Sequence, residues 1–537
     1  MAMQDEGGEA NHGFEDIDLG ESPSSLDTGH PGNSSPINQT GTQVIHKCDI
    51  YTATGAVKPE CEAVEKSPPI NTRNETVRLD RFMSLGHFVV ILVASTGGQS
   101  VFISPGPVLQ YSGSVGLALI IWFAGGILNL LLALCFTELG TLFPEAGGPY
   151  VFTLRTFGSM PAFLTAWGYT ILVVSPAWAL LAYITALYSV QPFFSGCSPP
   201  LLGVRLLAAT VLLSCVALNC IHVKIVTKVQ TFLSSVKLLA LLIIVVGGIY
   251  RMATGEIEKF NQSFDGTTEK PGQVALAILS SYYGYGGWQV IVNVVEESKR
   301  PERDLPRSVY ISFALVITLF CLTNMAYFSI LSFTEITGTD AIAVLYADRL
   351  YRPITAVISV LVVVSAIGAL NALVLGHSRS LFAAGRVGHM PSFVGMVHQK
   401  YHTPWPSLFI LGIMSIVMLF TGDTIVLIEY VSIGAILMAL EVLVVLLYLR
   451  WKPTNRKPPY KVSLVVAVTL VFIHLAVVGL SVYQKPSEMG IALAVIFVGI
   501  PVYWFGVAWK HKPKTFQAFL DKFTRIMSSA LDLTKTQ

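Results

Sequence analysis

The sequence predicts an all-α polytopic membrane protein with twelve transmembrane helices, on three observations. Of its 537 residues, 53% are hydrophobic and 13% are charged, whereas soluble domains carry about 25% charged residues. A dozen apolar runs approach about 20 residues, the length that crosses the hydrocarbon core of a bilayer. Two of these runs are interrupted by glycine at matching places in the two halves of the chain. A soluble protein with apolar core helices is disfavoured because too many runs reach spanning length.

Charge separates a long tail from the membrane region. Residues 1–46 contain no Lys or Arg and are rich in Asp, Glu, Gly, Ser and Pro, a composition typical of disorder. No apolar signal-peptide core is visible in the first 80 residues. We predict a disordered acidic cytoplasmic tail at 1–80, a twelve-helix domain at 81–511 and a cytoplasmic C-terminal tail at 512–537. The predicted spans are 83–110, 115–143, 160–190, 202–221, 226–251, 272–297, 308–333, 353–384, 405–421, 425–450, 462–483 and 489–510.

Alternate loops differ in their content of Lys and Arg. Basic residues cluster after the sixth and tenth predicted spans, whereas the short connection at 421–424 carries only Asp423. The positive-inside rule therefore places both termini in the cytoplasm. In this orientation Cys197, in a polar loop, and the glycosylation sequon at Asn261 are extracellular, and Asn261 is a candidate for glycosylation.

The two glycine interruptions predict a binding site. The run 88–108 is broken at Gly97-Gly98-Gln99-Ser100, and the run 274–295 at Gly284-Tyr285-Gly286-Gly287. Inside a bilayer, non-helical backbone persists only where it is buried in protein or lines a cavity. Paired broken spans in corresponding positions point to the binding site of a secondary transporter. The exposed N–H groups at the positive end of a half-helix suit a carboxylate.

Each break also has a purely structural interpretation. The first fits a helix kink or close packing through small residues, and the aromatic residues around the second fit either a lid over a pocket or ordinary bundle core. Three glycines in four positions are hard to explain by packing alone, and the recurrence of the break in both halves favours a functional site.

Two ionisable residues lie inside predicted spans. Lys237 is isolated in the fifth span, and a cation at that depth costs several kcal/mol, so we expect it to face a cavity or a partner. Glu441 in the tenth span is either a proton site or a neutral carboxylic acid bonded to a neighbouring helix. The charge run at 296–306 is expected to be a solvated loop. The sequence has no phosphate loop, HExxH, CxxC pair or GxSxG, so no enzyme activity, cofactor, metal or nucleic acid is expected.

Several motifs together resemble the light chains of heteromeric amino acid transporters, the L-type branch of the amino acid–polyamine–organocation superfamily. The likeness covers about residues 83–515 and is most specific in FTELGT at 136–141, GGPY at 147–150, YGGW at 285–288, the run 296–306 and the run 378–391. The resemblance implies a LeuT-type fold with a 5+5 inverted repeat and broken helices 1 and 6. It also implies sodium-independent exchange of amino acids by alternating access.

The resemblance also implies roles for residues of the two breaks. The substrate carboxylate would meet backbone at Gly97, Gly98, Gln99 and Ser100. The ammonium group would meet carbonyls that include those of Tyr283 and Gly284, and Tyr283 would close over the substrate. Gly286 matches a position that is acidic in a branch carrying cationic amino acids, so its lack of charge favours neutral substrates.

Two further residues receive roles from the resemblance. Lys237 matches a lysine in the region that sodium occupies in sodium-coupled relatives. Cys197 matches the cysteine that forms a disulfide with a single-span heavy-chain glycoprotein, a partner that brings light chains to the plasma membrane.

This chain departs from the family pattern at its centre. Family members carry Gly-Ser-Gly or Gly-Ala-Gly where this chain has Gly98-Gln99-Ser100. The Ser100 side chain can restrict the unwound backbone, shrink the pocket or donate an extra hydrogen bond. Gln289 replaces the usual Asn, and Ala435-Ile436 replace the usual Asn-Trp. Two alternative functions stay open: a non-transporting amino acid sensor or adaptor, and a proton-coupled transporter of another small amine or acid that uses Glu441.

Overall fold

The structure is a computed structural model. It describes residues 81–535 except 99, 103, 195–198, 256–259, 261, 340, 423, 453–455, 485 and 510–512. The tail at 1–80, Gln99, Cys197 and Asn261 lie outside the described residues, so the expectations placed on them stay predictions.

The described chain is helical apart from two short strands, which confirms the prediction of an all-α polytopic protein. Within the described residues, ten helical segments are long and apolar enough to cross a membrane. They are Leu85–Phe102, Val115–Leu142, Ser159–Val190, Leu201–Cys220, Val223–Ala253, Pro301–Ile330, Ile342–Arg386, Val426–Trp451, Leu464–Tyr483 and Pro486–Ala508. The apolar helix Trp405–Thr421 is shorter, and the predicted span 272–297 is divided between two helices. The total of twelve spans and the inverted repeat stay predictions.

The elements are numbered in chain order. The first ten α-helices are α1 (Leu85–Ser95), α2 (Pro105–Ser112), α3 (Val115–Leu142), α4 (Pro149–Phe157), α5 (Ser159–Gly168), α6 (Ser175–Val190), α7 (Leu201–Cys220), α8 (Val223–Ala253), α9 (Pro271–Gly284) and α10 (Val290–Asn293). They are followed by α11 (Pro301–Ile330), α12 (Phe333–Thr337), α13 (Ile342–Tyr351), α14 (Thr355–Arg386), α15 (Trp405–Thr421), α16 (Thr424–Trp451), α17 (Leu464–Gln484), α18 (Pro486–Tyr503) and α19 (Lys514–Ala530). The strands are β1 (Met396–His398) and β2 (Leu533–Lys535).

The two interrupted segments lie at the centre of the bundle. Helix α1 packs against α8, α11 and α14, and α9 packs against α2 and α3. Small residues bring these helices close together, as membrane helices require. A Cβ on Gly368 of α14 would lie 2.9 Å from the Leu233 Cβ of α8, so these two helices approach too closely for a larger residue there.

Contrary to the prediction from the sequence, the run 296–306 is not a solvated loop throughout. Its first two residues, Glu296 and Glu297, pair with arginines of α14. The Arg379 Nε donates to Glu297 Oε1 at 2.9 Å, and both side chains are buried. The Arg386 guanidinium donates to both oxygens of Glu296 at 2.9 Å. Only the middle of the run, which includes Lys299, Arg300, Glu302 and Arg303, is exposed as expected.

The C-terminal segment predicted as a tail contains ordered elements. Strand β2 pairs antiparallel with β1, with Val397 opposite Thr534. Helix α19 is amphipathic, and its Phe523 ring lies 5.4 Å from the Phe393 ring in the connection between α14 and β1. The segment therefore packs on the connection between α14 and α15.

We predict that breaking the Glu297–Arg379 pair destabilises the protein strongly. Arg379→Met removes the guanidinium that is paired with this buried carboxylate, which costs about 3–5 kcal/mol. The double variant Glu297→Gln with Arg379→Met should recover much of that loss because no lone charge remains. The measurement is thermal unfolding of detergent-purified protein. Glu302→Gln, at an exposed position, is the matched control and should change little; equal loss in the single and double variants would contradict the prediction.

Candidate binding site at the two helix breaks

The first break follows α1 and depends on two glycines. Gly97 and Gly98 have φ of 67° and 35°, in a region that residues with a Cβ rarely adopt. A Cβ on Gly97 would also lie 2.5 Å from the Phe320 ring. A short 3-10 turn then starts at Ser100 and leads into α2. The glycine pair therefore allows the backbone to leave the helix where the sequence predicts it.

The second break separates α9 from α10 and faces the first. Gly287 has a φ of 97°, and a Cβ on it would overlap the carbonyl oxygen of Ser95 at the end of α1. Close approach of the two backbones therefore requires glycine at this position. The two breaks, separated by almost 200 residues, meet directly.

Hydrogen bonds join the two breaks. The Gly97 N–H donates to the Gly286 carbonyl at 2.7 Å. The Ser100 hydroxyl reaches the carbonyl of Gly97 at 2.5 Å and also that of Gly284. Since a hydroxyl has one hydrogen, it donates to one of these carbonyls at a time. Of the three effects expected for Ser100, the structure shows the extra hydrogen bond, because the hydroxyl reaches one carbonyl in each break.

Among the described residues, the N–H groups expected to receive a carboxylate, those of Gly97, Gly98 and Ser100, are engaged within the breaks. Gly98 N–H donates to Ser95 O at 3.1 Å, and Ser100 N–H donates to Gly97 O at 2.6 Å. In the second break, the Gly287 N–H donates to the Gln289 side-chain oxygen at 3.0 Å. A ligand would have to share or replace these internal bonds. Gln289 thus stabilises the second break as well as lining the site.

A cavity of about 520 Å³ lies between the breaks, within the range of small-molecule sites. The structure brings six of the predicted residues to its lining: Gly97, Gly98, Ser100, Tyr283, Gly286 and Gln289. Gly284 is absent from that lining and contributes its carbonyl to Ser100 instead. The described lining contains one carboxylate, Glu429, and no Lys or Arg.

Lys237 supports the first break from behind and does not line the cavity. Its Nζ donates to the carbonyls of Val93, Ala94 and Thr96 at 3.1, 3.3 and 2.9 Å. These carbonyls lie where α1 ends, so the break leaves them without their helical partners. An ammonium has three N–H donors, and three acceptors surround this one. Lys237 was expected to face a cavity or a partner, and its partners are these three backbone carbonyls.

Glu441 lies apart from the break cavity. Its Oε1 accepts hydrogen bonds from Thr153 at 2.7 Å and from Thr165. It lines a second cavity of about 280 Å³, and Tyr169 and Met438 line both cavities. The bonds to neighbouring helices fit the interpretation of Glu441 as a carboxylic acid bonded to a neighbouring helix. The cavity beside it is also compatible with the other interpretation, a proton site.

Residues that brace the second break were not predicted from the sequence. Asn129 of α3 accepts from Trp288 Nε1 at 3.0 Å and donates to Tyr282 O at 3.0 Å. Its isolation as an amide inside an apolar run was a signal that pointed to such a role. The lining residues Tyr169 and His377 were also missed. Tyr169 starts a π-helical turn at Tyr169–Val174, a distortion that often accompanies functional sites.

The sequence similarity to known proteins covers the described membrane helices, including both breaks. Residues 85–505 match a family described as amino acid permease. The cystine/glutamate transporter of Homo sapiens is 34% identical over 468 residues, covering 87% of this chain and 93% of that protein. The large neutral amino acids transporter small subunit 2 of Homo sapiens is 35% identical over 466 residues, covering 86% and 87%. The Asc-type amino acid transporter 1 of Mus musculus is 33% identical over 455 residues, covering 84% and 86%. These matches confirm the resemblance inferred from the motifs.

We predict that Gly287→Ala destabilises the protein by about 1–3 kcal/mol, because it forces an unfavourable φ and drives a methyl group against the Ser95 carbonyl. Thermal unfolding of the purified protein measures the loss. Gly479→Ala in α17 is the control, because a Cβ there meets no atom within 4 Å. Equal stability of both variants would show that the two backbones do not meet at Gly287.

Proposed function

The chain belongs to the amino acid permease family, and from this premise we propose that it exchanges neutral amino acids across a membrane by alternating access. The observation that carries the proposal is the meeting of two helix breaks, joined by the Gly97–Gly286 hydrogen bond, over one cavity. Among the described residues, ten long apolar helical segments, the shorter α15 and the broken α9–α10 segment together support twelve spans. We assign the fold to the LeuT type, with broken helices 1 and 6 in an inverted repeat.

The cavity suits the two charges that every amino acid carries. In our proposal the ammonium group is received by carbonyls of the breaks and the carboxylate by the N–H groups of Gly98 and Ser100, once these exchange their internal partners for the ligand. A second carboxylate on the substrate would find no cationic side chain in the described lining, and a buried unpaired charge is costly. The lining therefore favours neutral side chains over acidic ones.

We attribute sodium independence to the position of Lys237. The carbonyls of Val93, Ala94 and Thr96 already surround its ammonium group. A cation held by the chain itself occupies these oxygen ligands, so we infer that a sodium ion is not needed to satisfy them.

We attribute exchange, rather than one-way transport, to the bonds between the breaks. The Ser100 hydroxyl reaches the Gly284 carbonyl of the second break, and the Gly97 N–H donates to the Gly286 carbonyl. We propose that these links hold the empty carrier in one state, and that a bound amino acid replaces some of them and permits the transition. The return of an empty carrier is then slow, and a substrate on the opposite side is required.

We further propose that the chain is a light chain. One of its relatives is named a small subunit, and the proposal assigns to Cys197 a disulfide with a single-span heavy-chain glycoprotein at the plasma membrane. Both termini are assigned to the cytoplasm and the Asn261 sequon to the extracellular side, from the distribution of basic residues among the loops.

Counterflow in proteoliposomes tests the transport proposal. We expect labelled leucine or asparagine to accumulate, without sodium, only in vesicles preloaded with unlabelled amino acids. Ser100→Ala should raise uptake into vesicles without preload by about two- to tenfold, because a hydrogen bond that holds the empty state is lost. Ser280→Ala is the matched control: Ser280 lines the same cavity, but its hydroxyl donates within its own helix to Leu276 O at 2.9 Å.

The same assay separates the alternative functions. If folded protein gives no counterflow and Ser100→Gly creates it, the sensor or adaptor is favoured. The second cavity at Glu441 favours proton coupling as the other candidate. In that case a pH gradient drives uptake, and Glu441→Gln abolishes the uptake that depends on the gradient. Counterflow that changes with neither the pH gradient nor this substitution excludes proton coupling.

Non-reducing gels test the disulfide. With a heavy chain co-expressed, we expect a high-mass band that reduction removes and that is missing in Cys197→Ser. Transport can persist in that variant through non-covalent contacts. Cys321→Ser, within helix α11, is the control and should keep the band; a wild-type band that never shifts on reduction would contradict the covalent link.

A further inference from the structure

We propose that His377 selects the substrate by its side chain, through an Nε2–H donor directed to uncharged groups that accept hydrogen bonds, such as the amide of asparagine or glutamine. This inference rests on the proposed transport of amino acids and names the class of side chain that the cavity prefers. It uses a cavity residue to which neither the sequence motifs nor the two breaks assign a role.

The bond to Trp178 fixes the tautomer of His377. Trp178 Nε1 lies 3.1 Å from His377 Nδ1, and the two ring planes are nearly parallel, with an interplanar angle of 7°. An indole N–H can only donate, so Nδ1 must offer its lone pair. The proton of the neutral imidazole is therefore on Nε2. Protonation of Nδ1 would set two donors against each other, which keeps the ring uncharged.

The donor created in this way faces the cavity. His377 is buried against its neighbours but belongs to the cavity lining, and no described residue accepts a hydrogen bond from its Nε2. Trp178, in contrast, is fully buried and outside the lining. His377 is therefore the residue that contacts the ligand, and Trp178 lies behind it and fixes which of its ring nitrogens carries the proton.

The ring is held in place from a second direction. The Tyr169 ring packs on His377 at 5.5 Å in an edge-on arrangement, at the start of the π-helical turn between α5 and α6. One helical turn before His377, Leu373 also lines the cavity, and it lies 3.8 Å from a Cβ built on Gly287. The donor is therefore rigid and lies next to the second break, where a side chain would extend from a substrate bound between the breaks.

A fixed neutral donor discriminates between side chains of the same shape. Leucine and asparagine both branch at Cγ, but only asparagine presents an oxygen that can accept from Nε2–H. A bound leucine would displace water from the donor and leave it unpaired, which lowers transport efficiency by about tenfold or more. Aspartate has the same shape and an acceptor, but it brings a charge for which the described lining has no Lys or Arg.

Initial counterflow rates of labelled asparagine, leucine and aspartate, each at the same low concentration, test the inference. Wild type should prefer asparagine over leucine by at least about tenfold, with aspartate poor. His377→Phe should bring the ratio close to one by losing the donor. His377→Gln, which keeps an N–H donor at the end of the side chain, should retain a preference for asparagine even if the Phe variant folds poorly.

Two controls separate the donor from general effects on packing. Trp178→Phe leaves the described cavity lining intact but releases the tautomer, so it should weaken the preference and make it sensitive to pH. His474→Phe removes a buried imidazole whose Nε2 is already bonded to the Tyr282 hydroxyl at 3.1 Å and which does not belong to the lining, so the ratio should not change. Equal rates for asparagine and leucine in wild type, or an unchanged ratio in His377→Phe, would overturn the inference while leaving amino acid exchange intact. Absence of counterflow with every amino acid would overturn the proposed function and the inference with it.

Discussion

Non-helical backbone inside a bilayer must find its hydrogen-bond partners within the protein, and the rest of this structure depends on how two helix breaks find theirs. The breaks partly satisfy each other, through the bond from Gly97 N–H to Gly286 O. Lys237 takes the carbonyls at the end of α1, and Asn129 braces the second break from α3. Each partner comes from a different part of the chain, so the breaks persist only in the assembled bundle.

The same bonds make the site conditional on its ligand. An N–H group that donates to a nearby carbonyl, as in Gly98 and Ser100, is satisfied within the protein, and it can pass to a carboxylate at little net cost because one acceptor replaces another. Transport then depends on the difference between two sets of hydrogen bonds rather than on their sum. Ser100 matters here because its hydroxyl adds a bond to the set of hydrogen bonds that the protein makes within itself.

The pattern of glycine and of isolated charges predicted much of this arrangement. Gly97, Gly98 and Gly287 mark positions that only glycine can occupy, and such requirements are local enough to read from a sequence. The partners are not local: Lys237 meets carbonyls more than 140 residues earlier, and the run that begins at Glu296 and Glu297 pairs with arginines of α14. Composition alone made that run resemble a solvated loop, because long-range pairing leaves no periodic signal in a chain.

The distribution of charge explains why uncharged groups of the protein distinguish one substrate from another. The buried ionic groups described above are committed within the protein: Arg379 to Glu297 and Lys237 to backbone. An amino acid brings two opposite charges of its own, which the opposed backbone groups of the breaks can receive without any charged side chain. What distinguishes one neutral amino acid from another is then shape and hydrogen bonding. In a low-dielectric cavity an unpaired donor is costly, so the position of a single proton, on Nε2 of His377 rather than Nδ1, is enough to separate side chains of equal size.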